Sequence, residues 1–360
     1  MSITMERAHA ELWRYPLKGS TGGSGITSVD LIVCNLESND GHTGIGFSYV
    51  LGGGGEHVVQ LANSMLDRFV LGQKLMPPNA LWRVLMQSLN RLGRGSGYLA
   101  IAALDVAMWD LHAKCQGLPL GVSMGGTLRE VPVYGSGGFG PNQDPAEAVD
   151  QALKYANAGA TAVKLRFTGN ASDFKRLDAV ANAIPDDVGI MADLNEKCDL
   201  ASALWLSNAC AEYNLIWLEE PLPAKDIHGY ISLASKTRVP IATGEHHQGA
   251  NELLPFFEGH CCAIAQPDLA MMGGLTEILR VVILAEHFGI SIAPHFLPSL
   301  FIHLAAVSPA ITWVEDFPLL EPLFNKPAVM LENGMMMPSE VPGHGLSWAS
   351  GAREEFKVRQ

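Results

Sequence analysis

The chain has 360 residues and 38.7 kDa, more than one typical domain, and its 48% hydrophobic and 17% charged residues give a globular balance that excludes disorder. Its 37 acids outweigh 24 bases for a formal charge of −13, a field that repels a phosphate backbone and argues against nucleic acid as a partner. Charges interrupt the opening "MSITMERAHAELWRYP" and no apolar run reaches about 18 residues, so no secretory signal or membrane partner is expected and the chain reads as cytoplasmic.

The first 50 residues or so alternate like strands. "SVDLIVCNLES" and "GIGFSYV" flank "NDGH", where Asp40 and Gly41 form a hairpin signal, so a small antiparallel sheet is predicted. Three helical patterns follow. The clearest places Ile101, Leu104, Met108 and Leu111 at three- and four-residue steps, and Gly117 with Pro119 ends it. From about Arg129 short apolar runs alternate with amphipathic stretches, the signature of βα repeats and a parallel sheet. The runs are "VPVYGSG", "TAVKLRF", "GIMADLN", "LIWLEEP", "VPIATGE", "AIAQPD", "ISIAPH" and "ITWVED". Eight near-regular repeats favour a closed (β/α) barrel over an open doubly wound sheet. The expected division is an α+β capping domain over 1–128, the barrel over 129–318, and a segment over 319–360 that resumes strand patterning in "AVMLENGMMMPS" and returns to the cap. The six cysteines have no C-x-x-C or zinc-like spacing and are read as reduced and structural.

Nearly every barrel run ends in an ionisable or polar group: Lys164 and Arg166, Asp193 and Asn195, Glu219, Glu245, Asp268, His295, Glu315. In a barrel these strand ends converge on one mouth, where active sites of this architecture sit. A single acid at a strand end is commonly a helix cap, but a succession of them is not explained by capping. Asp193, Glu219 and Glu245 recur every 26 residues, so they occupy equivalent places on consecutive strands about 4.8 Å apart. Three such carboxylates repel one another unless a cation sits among them. Oxygen-only ligands select a hard ion, Mg²⁺ ahead of a caged Ca²⁺.

Asp268 and His295 end adjacent runs and form a candidate acid/base dyad, the bland alternative being a buried histidine satisfied by a neighbour. Lys164 and Arg166, two residues apart on one strand, point to the same face. Lys164 is expected to face the mouth across from His295, with Arg166 and a metal ion lowering its pKa toward the range of a working base. Snorkelling surface charges are the alternative.

At these residues the chain resembles the enolase superfamily, in particular its mandelate racemase subgroup. The resemblance rests on "VKLR", "DLN", "WLEEP", "ATGE", "QPD", "APH" and "WVED" in order, with "ALDVAMWDLHAKCQGLPL" before them. It implies a modified (β/α)7β barrel with a capping domain, and chemistry in which a Lys or His base works with Mg²⁺ to form an ene-diolate. Carried over by position, it implies Asp193, Glu219 and Glu245 as Mg²⁺ ligands and Lys164 and the His295–Asp268 pair as opposed bases. It also implies Glu315 beside the substrate carboxylate, with Asn195 and Arg166 as further substrate contacts. Of the two glutamates in "LEEP" it favours the first as ligand; strand alternation alone says only that Glu219 and Glu220 face opposite ways.

Segments such as "GFSY", "SGGF", "APHF" and "HGLSWAS" look most like the acid-sugar dehydratases acting on galactarate and talarate. Two departures lie near the substrate: Arg166 stands where a second lysine is expected, and "NEKCD" replaces a stretch with glutamine and tryptophan. The resemblance also implies lids from two Gly-rich loops, 19–25 and 51–56, and a homo-oligomer, often an octamer. The expected activity is dehydration of a sugar diacid to a 2-keto-3-deoxy acid. A racemase or epimerase using the same bases is the alternative, and a non-catalytic sugar-acid binder the remote one.

Overall fold

The computed structural model describes residues 3–17 and 25–359. Strands β1 (Met5–Pro16), β2 (Ser28–Ser38) and β3 (Thr43–Leu51) form an antiparallel meander, with Gly41 at φ +88° in the turn between the last two. The central β2 is buried on both faces, and its period-two alternation divides it between two cores. Val29, Leu31 and Val33 pack with Trp13, Phe47 and Tyr49, whereas Ile32, Cys34 and Leu36 pack with the helices.

Those helices are α1 (Gly55–Phe69), α2 (Pro78–Ser88) and α3 (Gly95–Gln116). All four periodic residues of α3 are buried, and Gly117 ends the helix in the left-handed conformation at φ +68°. Burial extends round almost the whole helix because α3 is wedged between the cap sheet and barrel helices. On the sheet side β3 comes so close that a Cβ on Gly46 would stand 2.2 Å from the Ala107 backbone nitrogen. On the other side buried Asp105 accepts hydrogen bonds from Thr276 N at 2.8 Å and Thr276 Oγ1 at 2.6 Å. Asp105 thereby caps a barrel helix from the capping side.

After the short α4 (Leu120–Ser123), the eight predicted runs each carry a strand: β4 (Val131–Gly135), β5 (Ala162–Arg166), β6 (Gly189–Asp193), β7 (Leu218–Glu219), β8 (Ile241–Thr243), β9 (Ile264–Ala265), β10 (Ser291–Ile292) and β11 (Val314–Asp316). Helices α5 (Pro145–Asn157) through α11 (Leu275–Phe288) alternate with them, including the four-residue α10 (Leu269–Met272). Hydrogen bonding runs in parallel order from β10 back to β4 and on to β11. A parallel bridge between Ile292 and Ile311, just before β11, closes the ring. The fold is thus the expected α/β barrel with an α+β cap.

The returning chain pairs first with the barrel, where β12 (Met335–Met336) lies antiparallel to β4, and then with the cap. There Trp348 packs on Trp13 with ring centroids 4.7 Å apart, Lys357 bridges to Trp13, and Val358 N donates to Leu12 O at 2.8 Å. Of the two expected lid loops, the first lies outside the described residues apart from Gly25. The second leaves β3 as a turn with Gly52, Gly53 and Gly54 all at positive φ and enters α1 at Gly55. Among the described residues no helix is long and apolar enough to cross a membrane.

Candidate active site

Strand register brings the predicted side chains together. Arg166 pairs in register with Asp193, and Asp193 with Glu219, so consecutive strand ends present cation, acid and acid side by side. Arg166 Nη1 donates to Asp193 Oδ2. Asn195 N donates to Asp193 Oδ1 at 2.8 Å, and Asn195 Nδ2 to Glu245 Oε1 at 3.2 Å. His295 Nδ1 is 2.8 Å from Asp268 Oδ2, and His295 Nε2 is 3.4 Å from Glu245 Oε2. All nine predicted residues therefore belong to one connected cluster at one end of the barrel.

Glu219 and Glu220 do face opposite ways. Glu219 turns inward, where Trp217 Nε1 and Gln266 Nε2 donate to its Oε2 at 3.0 and 2.7 Å. Glu220, at φ +38°, turns to His246 Nδ1 at 2.9 Å.

The cavity at this end, about 190 Å³, separates the nine into two layers. Arg166, Asn195, Glu245 and His295 line it; Lys164, Asp193, Glu219, Asp268 and Glu315 lie beneath its wall. Lys164 departs from expectation. It is fully buried, with Nζ 2.6 Å from Glu219 Oε1, 2.8 Å from Glu315 Oε1 and 3.8 Å from Asp193 Oδ2. Burial alone pushes its pKa down, but Glu219 and Glu315, with smaller contributions from Tyr134 and Asp193, outweigh it and hold the ammonium well above its ordinary value. Arg166 alone does not offset these carboxylates, which stand close to Lys164; the expected lowering called on Arg166 together with a metal ion held by the same carboxylates. Arg166, not Lys164, is the cation at the cavity wall. Glu315 likewise faces inward: its Oε2 accepts from Phe296 N at 2.8 Å, and although burial raises it, Lys164 and His295 hold it down at about 2.

His295 loses its proton less readily than a free imidazole. Burial opposes its charge, but Glu245 and the hydrogen bond to Asp268 raise it to about 10. Asp268 is itself immobilised, since its Oδ1 accepts from Ala270 N and Met271 N at 2.9 and 3.0 Å. A residue absent from the expected set completes this dyad: Tyr49 of β3 donates its hydroxyl to Asp268 Oδ2. Its ring packs on Phe296, 5.0 Å between centroids. Tyr49 lies within "GFSY", but nothing in the spacing of that segment links it to Asp268. His246, which also lines the cavity, was not expected either.

The donor set fits a hard divalent ion. Asp193, Glu219 and Glu245 offer only oxygen, and Glu245 Oε2 is buried without a hydrogen-bond donor. The cluster also holds five carboxyl groups against three nitrogen cations, a deficit that one divalent ion removes. Repulsion is visible in the acids themselves: burial and Asp193 push Glu219 up to about 8, while Arg166 and Lys164 overcome burial and keep Asp193 below its ordinary value.

Comparison with known proteins agrees with this arrangement. A family model described as "Enolase C-terminal domain-like" matches residues 147–352, and one described as "Mandelate racemase / muconate lactonizing enzyme, N-terminal domain" matches residues 3–125. The chain is 34% identical over 336 residues to the L-talarate/galactarate dehydratase of Salmonella typhimurium, covering 91% of this chain and 83% of that protein. It is 28% identical to the 3,6-anhydro-alpha-L-galactonate cycloisomerase of Streptomyces coelicolor, covering 95% and 96%. Among solved structures, L-talarate dehydratase from Polaromonas sp. JS666, complexed with Mg and L-glucarate, superposes with a TM-score of 0.93 at 31% identity, covering 99% of this chain and 98% of that one.

Proposed function

The chain belongs to the mandelate racemase/muconate lactonizing enzyme family of the enolase superfamily, and from that premise we propose that it is a Mg²⁺-dependent acid-sugar dehydratase, a hydro-lyase. Asp193, Glu219 and Glu245 would hold the ion. When bound, it supplies positive charge that stabilises the substrate carboxylate as the neighbouring carbon loses its proton. The relatives' names and ligands make galactarate, talarate and glucarate the first compounds to assay.

The observation that carries the reading is the pair across the cavity. His295 on one side has its Nδ1 held by Asp268, leaving Nε2 toward the cavity, while Arg166 stands on β5, three strands round the ring from β10 by the shorter way. With Glu245 engaged by the ion, the largest charge holding His295 protonated is offset; His295 Nε2 then takes the proton from C2, and Asp268 stabilises the imidazolium that results. The same imidazolium returns a proton to the leaving C3 hydroxyl, which departs as water while the C–O bond breaks and the enol forms. Tautomerisation gives the 2-keto-3-deoxy acid. Arg166 and Asn195 orient the polar substrate end, and Lys164 holds Glu219 and Glu315 in place from below.

Racemisation, the second reading, needs a base on each face of C2. Burial opposes the charge on Arg166, but Asp193 and Glu245 raise its pKa above an already high ordinary value, so the guanidinium is a poor proton acceptor and elimination is favoured. The test is a panel of mono- and diacid sugars incubated with Mg²⁺, with keto acid trapped by semicarbazide. His295→Asn is expected to lower kcat by about 10²- to 10⁴-fold with the fold intact. Epimer formation without keto acid, or a fully active His295→Asn enzyme, would refute the proposal.

A further inference from the structure

The strands that position Asp193, Glu219 and Glu245 carry a second set of donors just past them. Glu196 lies three residues beyond Asp193, Glu220 directly follows Glu219, and His246 directly follows Glu245. One potential ligand atom from each of Glu196, Glu220 and His246 lies within 4.8 Å of the other two. His246 Nδ1 is 2.9 Å from Glu220 Oε2 and 3.8 Å from Glu196 Oε1. Backbone groups hold the two acids in place: Glu196 N donates to Glu220 O at 2.8 Å, Glu220 N to Ala242 O at 2.9 Å, and Ala224 N to Glu196 Oε1. Glu220 is only 1% exposed, and its Oε1 accepts no hydrogen bond among the described residues. A carboxylate oxygen buried in that way is costly unless an ion or a water meets it.

We infer that Glu196, Glu220 and His246 form a second metal site, separate from the Mg²⁺ site, that takes a first-row transition ion of the Zn²⁺ class. One imidazole nitrogen with two carboxylates is a donor set that such ions accept and that Mg²⁺, which prefers oxygen throughout, does not. In a tetrahedral site with bonds of about 2.0 to 2.1 Å the ligand atoms stand roughly 3.4 Å apart, and the separations of 2.9 and 3.8 Å bracket that value. The ion takes the place of the proton that His246 Nδ1 shares with Glu220, and its charge balances the two carboxylates. A protonated His246 alone leaves Glu220 Oε1 unmet, whereas an ion held by that carboxylate does not. Solvent reaches the site, since His246 is exposed and Glu196 half-buried. Because His246 also lines the mouth cavity, the bound ion fixes its ring there, with Nε2 free of the metal and 3.9 Å from Glu245 Oε1.

The test titrates Co²⁺, a visible and anomalously scattering stand-in for Zn²⁺, into the full chain in excess Mg²⁺. Calorimetry gives the stoichiometry and affinity, and anomalous scattering at the cobalt edge gives the position. A Co²⁺ ion is expected between Glu196, Glu220 and His246. Glu196→Gln and His246→Asn should each weaken its binding roughly tenfold or more, with far-UV circular dichroism and Tm confirming that the variants fold. Asp193→Asn, which removes a ligand of the Mg²⁺ site, should leave the second ion bound. Cobalt found only among Asp193, Glu219 and Glu245, no Co²⁺ bound in excess Mg²⁺, or binding that neither Glu196→Gln nor His246→Asn weakens would overturn the inference. None of these readouts involves turnover, so the dehydratase reading stands or falls separately.

Discussion

Asp105→Asn tests whether the cap and barrel meet through a carboxyl group that burial keeps from ionising. Burial raises Asp105 from 3.8 to about 7, more than its hydrogen bonds to Thr276 lower it. A carboxyl whose folded pKa is raised contributes stability that is fully present below the unfolded value and is lost as pH rises through the folded one. Linkage between these two values puts the wild-type penalty at about 1.7 kcal/mol near pH 5 and about 4.3 kcal/mol near pH 8. Asparagine does not titrate and can still accept from Thr276 N, so its pH-independent cost, roughly 1 to 2 kcal/mol, cancels between the two conditions. Relative to wild type the variant should therefore gain about 2.6 kcal/mol from pH 5 to pH 8, or about 3 °C in Tm for a chain of this length. Thermal unfolding of both proteins at the two pH values reads this directly. A Tm difference unchanged with pH would mean that Asp105 ionises normally, and the cap–barrel contact would have to be explained without a protonated carboxyl.

Three further changes probe other parts of the molecule. Tyr49→Phe removes the hydroxyl donor to Asp268 and should cost about 1.5 to 3 kcal/mol of stability, with kcat falling more than KM changes; unchanged Tm and kcat would show the contact to be unimportant. Gly46→Ala drives a methyl group into the α3 backbone and should lower stability by about 3 kcal/mol or more, seen as loss of soluble protein or a large fall in Tm. His303 is held at about 4 by burial, with Nε2 3.1 Å from His344 O and Nδ1 3.4 Å from Gly121 N. Its folded pKa is depressed, so stability present above about 6.5 is lost as pH falls toward 4; His303→Gln should flatten the fall in Tm over that window.

The barrel was legible because its grammar is local. Each run of six or seven residues carries its own hydrophobicity, and the polar residue at each strand's end marks the mouth, even where β7, β9 and β10 shrink to two residues. Alternation alone said that Glu219 and Glu220 face opposite ways, and the family resemblance named Glu219 as the inward one. The two layers of the site were not legible. Lys164 and Arg166 share a face, but which one reaches the cavity depends on Glu219 and Glu315, at 55 and 151 residues' remove from Lys164. Tyr49 reaches Asp268 across 219 residues from another part of the fold, and no spacing rule connects them. The apolar members of the cavity wall, Leu17, Ile26, Leu51, Phe296, Phe317 and Leu319, come from short segments beside five different strands, each unremarkable in itself.

The outer edge of β1 has a further consequence. Its partner on one side is β2, but on the other the strand is covered by residues from the far end of the chain: Trp348 against Trp13, Lys357 bridging to it, and Arg353 Nε donating to Glu11 Oε2 at 2.9 Å. During synthesis this edge emerges among the first residues and waits for some of the last before it is sheathed. Until then two chains can zip together along it, so chains truncated short of Trp348 should be sticky and protease-sensitive where chains truncated after Lys357 are not.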